Sequence, residues 1–133
     1  MSIVLLLRSL FISATTQATA TAPSATRVTT LDGKRFEGVV LEPGKTSGDA
    51  DTLVFSNGRF SSSACTQYGY GDGPYTVRVA DGVISFSAQT ESPKYGKLEW
   101  NGVVRGHKLD GTLTMFSDGR ASGEKWVVAG EKG

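Results

Sequence analysis

A chain of 133 residues, 38% hydrophobic and 20% charged, has room for one domain around a single core. Fourteen Lys and Arg against thirteen Asp and Glu leave a net charge of +1, so the positive field that gathers nucleic acid is missing, and no nucleic-acid partner is expected. One cysteine, Cys65, excludes an internal disulfide and leaves a thiolate metal site without a second ligand.

Residues 1–26 read as a signal-like or disordered N-terminal segment ahead of a single domain over 27–133. Apolar runs Ile3 to Leu7 and Leu10 to Ile12 lead to small residues, with Ala18-Thr-Ala20 and Ala20-Thr-Ala22 as cleavage sites. Arg8 breaks the apolar run, which is too short for a bilayer, so no transmembrane span is expected. The signal reading predicts an exported protein, periplasmic or extracellular; a plain disordered tail is the alternative.

The folded part opens at Leu31-Asp32-Gly33 and enters a first strand, Arg35 to Glu42. Phe36 and Val40 compete there with Val39 and Leu41 for the inward face, and Gly38 suggests a bulge. A polar loop, Pro43 to Ala50, precedes a hairpin of Thr52 to Ser56 and Arg59 to Cys65 about Asn57-Gly58, pairing Phe55 with Phe60 and Leu53 with Ser62. After a glycine-rich loop, Thr66 to Pro74, comes the most regular stretch, Tyr75 to Ala88. Asp81-Gly82 supplies two residues that tolerate positive φ, as a type I′ turn demands; it sets Val79 opposite Ile84, Val77 opposite Phe86 and Tyr75 opposite Ala88 on one apolar face.

Lys97 to Val104 and His107 to Phe116 are expected to pair about Arg105-Gly106, setting Trp100 against Gly111. The last hairpin closes at Asp118-Gly119 and returns Arg120 to Ala129, with Trp126 opposite Gly111 and Val128 opposite Leu109. On this reading Gly111 lies between two tryptophans. The fold class is therefore all-β: an eight-stranded antiparallel up-and-down meander closed into a small barrel, with a two-sheet sandwich as the competitor. Asn57-Gly58, Asp81-Gly82 and Arg105-Gly106 recur every 24 residues, a period of two strands, so the tight turns gather at one end and the longer loops at the other. Bulky inward residues (Phe55, Phe60, Val79, Ile84, Val104) fall near the tight turns. Smaller and more polar ones (Ser62, Ala64, Tyr75, Ala88, Thr90, Met115, Ser122, Glu124) fall near the long loops. That gradient predicts a cup with its mouth under the long loops.

The meander, Gly38 after the first strand's Phe36, and the run Trp100-Asn-Gly102, Leu109-Asp-Gly-Thr112 and Trp126 together resemble the calycin barrels, the lipocalin and streptavidin group. The resemblance implies a ligand-holding barrel; the biotin-contacting residues of streptavidin have no counterparts here, so biotin is not implied. The segment Phe60-x-Ser62-x-x-Cys65-x-x-Tyr68-Gly-Tyr70-Gly is also similar to that of small exported bacterial proteins without an assigned activity, which implies an envelope location.

Candidate chemistry is sparse. Gly44-Lys45-Thr46 lacks the earlier glycine of a phosphate loop and leads into a strand. Asp49 and Asp51 lack the remaining oxygen ligands of a calcium loop. Cys65 and His107 are the one nucleophilic pair the composition allows, and the register separates them by about 20 Å at about 3.3 Å per residue. No catalytic residue, metal or cofactor is expected, and the protein is read as not an enzyme. The expected function is binding of a small apolar or amphipathic molecule or lipid, with Tyr68, Tyr70, Tyr75, Ala88, Trp100, Met115 and Glu124 as ligand-binding residues. The alternative is a protein-interaction module, an inhibitor or envelope-complex component, meeting a protein partner with its long-loop end. Two local alternatives stay open: a bulge at Gly123 would turn Glu124 outward, and Tyr68 and Tyr70 either pack their own loop or cover the mouth.

Overall fold

The computed structural model describes residues 30–132; the signal-like reading of residues 1–26 and its boundary lie outside the described residues. Eight antiparallel strands follow one another around a closed barrel: β1 (Arg35–Leu41), β2 (Asp49–Ser56), β3 (Arg59–Ser62), β4 (Gly73–Ala80), β5 (Val83–Ser92), β6 (Gly96–Arg105), β7 (Lys108–Ser117) and β8 (Arg120–Lys132). β8 returns to pair with β1 from Arg35↔Lys132 to Leu41↔Trp126, so the sandwich is excluded. Among the described residues no helix is long and apolar enough to cross a membrane.

Turn chemistry sets most of the register. Asn57 and Gly58 have φ of 54° and 73°, and Asp81 and Gly82 have 53° and 77°, the positive pair that a type I′ turn needs. Phe55↔Phe60 and Leu53↔Ser62 pair across the first turn, and Val79↔Ile84, Val77↔Phe86 and Tyr75↔Ala88 across the second, all as expected. The third turn differs. Arg105 pairs with Lys108, so Gly106 and His107 are the central residues, with φ of 59° at Gly106: glycine at the first central position, as in a type II′ turn. The β6–β7 register consequently moves by two, which keeps the faces but sets Trp100 against Leu113 and Gly111 against Gly102.

β8 carries the larger correction. Asp118-Gly119 makes the expected turn, but Met115 pairs with Gly123 and Phe116 with Ala121, so Ser122 is an extra residue in a bulge. One extra residue reverses the faces of everything beyond it. Val127 and Ala129 are buried, while Trp126 and Val128 are 42% and 36% exposed on the outer wall. Trp126 opposes Thr112, and Gly111 opposes Val127. Gly111 is therefore not held between tryptophans. At its neighbour Gly102 an added Cβ would lie 2.8 Å from the edge of the Phe86 ring, so the glycine makes room for phenylalanine.

Several strand boundaries also differ from expectation, among them three near the mouth. β2 begins at Asp49 within the expected loop, β5 runs on to Ser92, and the expected end of β3 is instead a short helical turn, α1 (Ser63–Thr66). That turn answers to a residue on another strand: the Asp51 carboxylate accepts from the Ala64 N–H at 3.0 Å and the Ser63 hydroxyl at 3.3 Å.

The tight-turn end is filled. Phe36, Phe55, Phe60, Tyr75 and Leu31 are all buried, and Phe55 meets the rings of Phe36, Phe60, Tyr75 and Phe86 at 4.9–5.9 Å between centroids. Val79, expected in this floor, is instead 38% exposed, and Ile84 is half-buried, because the β4–β5 turn projects past the floor. The turn before β1 closes the end from below: Asp32 accepts from the Gly58 N–H at 2.9 Å and from the Tyr75 hydroxyl at 2.6 Å. Tyr75 belongs to this floor rather than to the mouth. β4 pairs with β3 only at Arg59↔Pro74 and Phe60↔Gly73, a stagger that brings the start of β4 level with the Asn57-Gly58 turn.

Candidate functional site

Opposite the floor, a cleft of about 410 Å³ opens under the long connections. Its deep wall is apolar: Val40 of β1, Leu98 of β6, and Leu113 and Met115 of β7. Its roof is the stretch from α1 through the glycine-rich loop, with Ala64, Cys65, Tyr68 and Tyr70, together with Tyr95 of the β5–β6 connection and Phe116 at the end of β7.

Ser92 fastens these two connections together. Its hydroxyl donates to the Tyr68 carbonyl at 2.8 Å and accepts from the N–H groups of Lys94 and Tyr95 at 3.2 and 3.3 Å. The result is a row of three tyrosines, with Tyr95 edge-on to Tyr68 at 5.8 Å and stacked on Tyr70 at 6.5 Å. Tyr70 is buried, whereas Tyr68 and Tyr95 are 51% and 46% exposed. Gly69 at φ +87° sharpens the loop between the two tyrosines that flank it.

Polar groups enter the cleft at few points. Asp51, 5% exposed, points inward from β2 and takes three hydrogen bonds, the shortest from the Ser62 hydroxyl at 2.6 Å. Lys125 of β8, two strands round the barrel from Asp51, also lines the cleft and is bonded to Glu42. Burial raises the Cys65 thiol above its ordinary value, against the lowering effect of the nearby Ser62 hydroxyl, and burial likewise raises the Tyr70 phenol. A thiol pushed up in this way is held away from the thiolate that attacks electrophiles.

The structure brings together Tyr68, Tyr70 and Met115 of the expected ligand residues. Tyr75 lies in the floor, its phenol raised by burial and by the Asp32 carboxylate. Ala88 and Trp100 are cross-strand partners in the core, with the Trp100 indole donating to Thr90 at 3.3 Å, and neither lines the cleft. Glu124 is exposed on the outer wall, turned there by the Ser122 bulge; the charged residue that alternation brings to the mouth is Lys125. Asp51, Cys65, Tyr95 and Lys125 are among the cleft residues that the expectation did not include. Tyr95 was within reach, since the connection that carries it falls at the long-loop end on turn spacing alone.

A larger hollow of about 630 Å³ lies on the outer wall over the Gly102–Gly111 pair, bordered by Thr76, Arg78, Ser85, Ser87 and Asp110. Its rim is solvated polar side chains on a sheet face, whereas the mouth cleft is backed by apolar wall and roofed by a loop, so the mouth is the candidate site. Among the described residues no cluster of three or more His, Cys, Asp or Glu side chains is arranged to hold a metal ion.

Set beside known proteins, the chain matches no family model, no curated protein and no solved structure. Its architecture, an eight-stranded antiparallel meander closed on itself, is compatible with a calycin-like barrel.

Proposed function

We propose that the protein is a small-molecule-binding barrel that holds an amphipathic ligand in the cleft under its long loops. One observation carries the reading: the interior is packed ring on ring at the tight-turn end, yet an apolar-backed space of about 410 Å³ remains at the other. That volume falls in the range of about 300–1,000 Å³ of small-ligand sites. Binding rather than turnover suits the polar groups there, since Asp51 is occupied by structural hydrogen bonds and the Cys65 thiol is pushed up. The exported, envelope location expected from the N-terminal residues belongs to the same proposal.

Calorimetric titration with alkyl amphiphiles below their micelle concentrations tests it. The wild type should bind at least one with a single site, and Ala64→Trp, which fills the roof of the cleft, should weaken that binding about tenfold or more while melting normally. No binding by any amphiphile, or equal binding by Ala64→Trp, would remove the cup.

The protein-partner reading has its own observation. Trp126 and Val128 lie exposed on the outer wall, with Val39 of β1 directly across from Val128. Trp126→Ser would leave amphiphile binding unchanged and abolish partner capture if that wall is the working surface.

A further inference from the structure

The charge balance inside the cleft says which kind of head group it suits. Asp51 and Asp49 line it, with Lys125 as the one cation among the described lining residues, and Lys125 is already bonded to Glu42. Among the described residues no Lys, Arg or His makes a salt bridge with Asp51 or Asp49. The Asp51 carboxylate is thus more than nine-tenths buried, held by two hydroxyls and one N–H, with no cationic partner among the described residues. Neutral donors offset only part of the cost of taking a carboxylate out of water. Its two oxygens offer four acceptor directions, and three are filled.

The aromatic rim favours the same sign. Tyrosine faces are negative, and they attract ammonium groups most strongly where water is excluded. The chain's own lysines already use the rim in this way: the Lys94 ammonium stands 5.3 Å from the Tyr95 ring centre, and that of Lys97 stands 4.7 Å from Phe116. Tyr68 and Tyr70 flank Tyr95 at the entrance, and the Lys94 ammonium occupies one of the rim's faces rather than the cleft.

We propose that the cleft selects an amphipathic organic cation, its ammonium group set between Asp51 and the tyrosines and its apolar body along Leu98, Leu113 and Met115. The inference rests on the reading of the cleft as a ligand site and adds the sign of the ligand's charge. Inside the cleft an anionic amphiphile would meet two carboxylates and a lysine already matched by Glu42, and the rim's Lys94 and Lys97 are turned onto aromatic rings. A neutral one would leave Asp51 without a counter-charge.

Three probes with the same alkyl chain and a trimethylammonium, carboxylate or alcohol head separate the two claims. The ammonium probe should bind about tenfold or more tighter than the others, the equivalent of about 1.4 kcal/mol. Asp51→Asn should erase that preference, and Tyr95→Leu, at an exposed position that folding tolerates, should reduce it several-fold. Should Asp51→Asn fail to fold for want of its α1 contacts, Tyr95→Leu together with the salt dependence of ammonium binding decides the matter. Equal binding of the three probes, or a carboxylate preference, overturns the cation inference and leaves the cup standing. Binding of none overturns both.

Discussion

Between the tight-turn end of the barrel and the long-loop end, the same residue types are put to opposite uses. At the floor, four rings surround Phe55 and the one polar handle, the Tyr75 hydroxyl, is bonded to Asp32. At the mouth, three tyrosines lean on one another at the rim with two of them about half exposed, and the space beneath them is left open. Both ends are aromatic, so composition does not distinguish them. What differs is how they are joined: two-residue turns force facing side chains to interlock, whereas loops fastened by side-chain bonds such as those of Ser92 hold their rings at the surface. Stability is thereby placed at one end and, on the proposed function, recognition at the other.

The sharpest way to break that division is to truncate a ring at each end. Phe55→Ala should cost about 3–5 kcal/mol, as loss of a fully buried aromatic does, while Tyr68→Ala should cost under about 0.5 kcal/mol. Denaturant midpoints measure both, and comparable losses would mean that the rim is structural. Next, Tyr75→Phe removes the bond that ties the floor to the turn before β1 and should cost about 1.5–3 kcal/mol, the range for a hydrogen bond to a charged group. A neutral result would show that the closing turn contributes little. Gly102→Ala sets a methyl group against the Phe86 ring and the Asp110 carbonyl, each 2.8 Å away, and should destabilise by about 1–3 kcal/mol through overpacking. Adding Phe86→Leu to that variant should recover part of the loss.

The smallest effect concerns pH. Lys34, bonded at 3.0 Å, and then His107 hold the Glu131 carboxyl below its ordinary value. A depressed folded value means that the contribution is present above the unfolded pKa of about 4.3 and is lost as pH falls through the folded one. Wild type should therefore lose slightly more stability on acidification than Glu131→Gln, with parallel curves above about pH 5.5. Curves that stay parallel down to about pH 3 would show that the Glu131 pair contributes nothing.

The parts of this fold that can be read in the chain are those fixed by neighbouring residues. Asn57-Gly58 and Asp81-Gly82 each bring two residues tolerant of positive φ, and the register on both sides follows. Arg105-Gly106 misleads because a lone glycine fits a II′ turn one residue further on. The Ser122 bulge is announced only by the adjacent Gly123, where an outward turn of Glu124 is one of two open readings, and it exchanges Glu124 for Lys125 at the mouth. Two further features depend on contacts remote in sequence. α1 forms against Asp51, and the height of Tyr75 follows from the stagger of β3 on β4. For the candidate site, Tyr68, Tyr70 and Met115 follow from loop position and alternation, whereas the buried charge of Asp51 emerges only once its donors are in place.

The short ladder between β3 and β4 has a dynamic consequence. Two residue pairs, the Tyr75 N–H bond to Gly58 and the exposed Arg59–Asp72 ion pair span it, whereas β6 and β7 meet over eight pairs. A closed sheet opens first where fewest bonds must break together, so the amides of β3 and of the first half of β4 should exchange with solvent through a local opening well below the free energy of global unfolding. That slit borders α1, which carries Ala64 and Cys65 of the cleft roof. Breathing along that seam would loosen α1 together with the Phe60 and Tyr75 edge of the floor while the longer ladders hold, and on the proposed function it would give a ligand a way in that does not require the barrel to unfold.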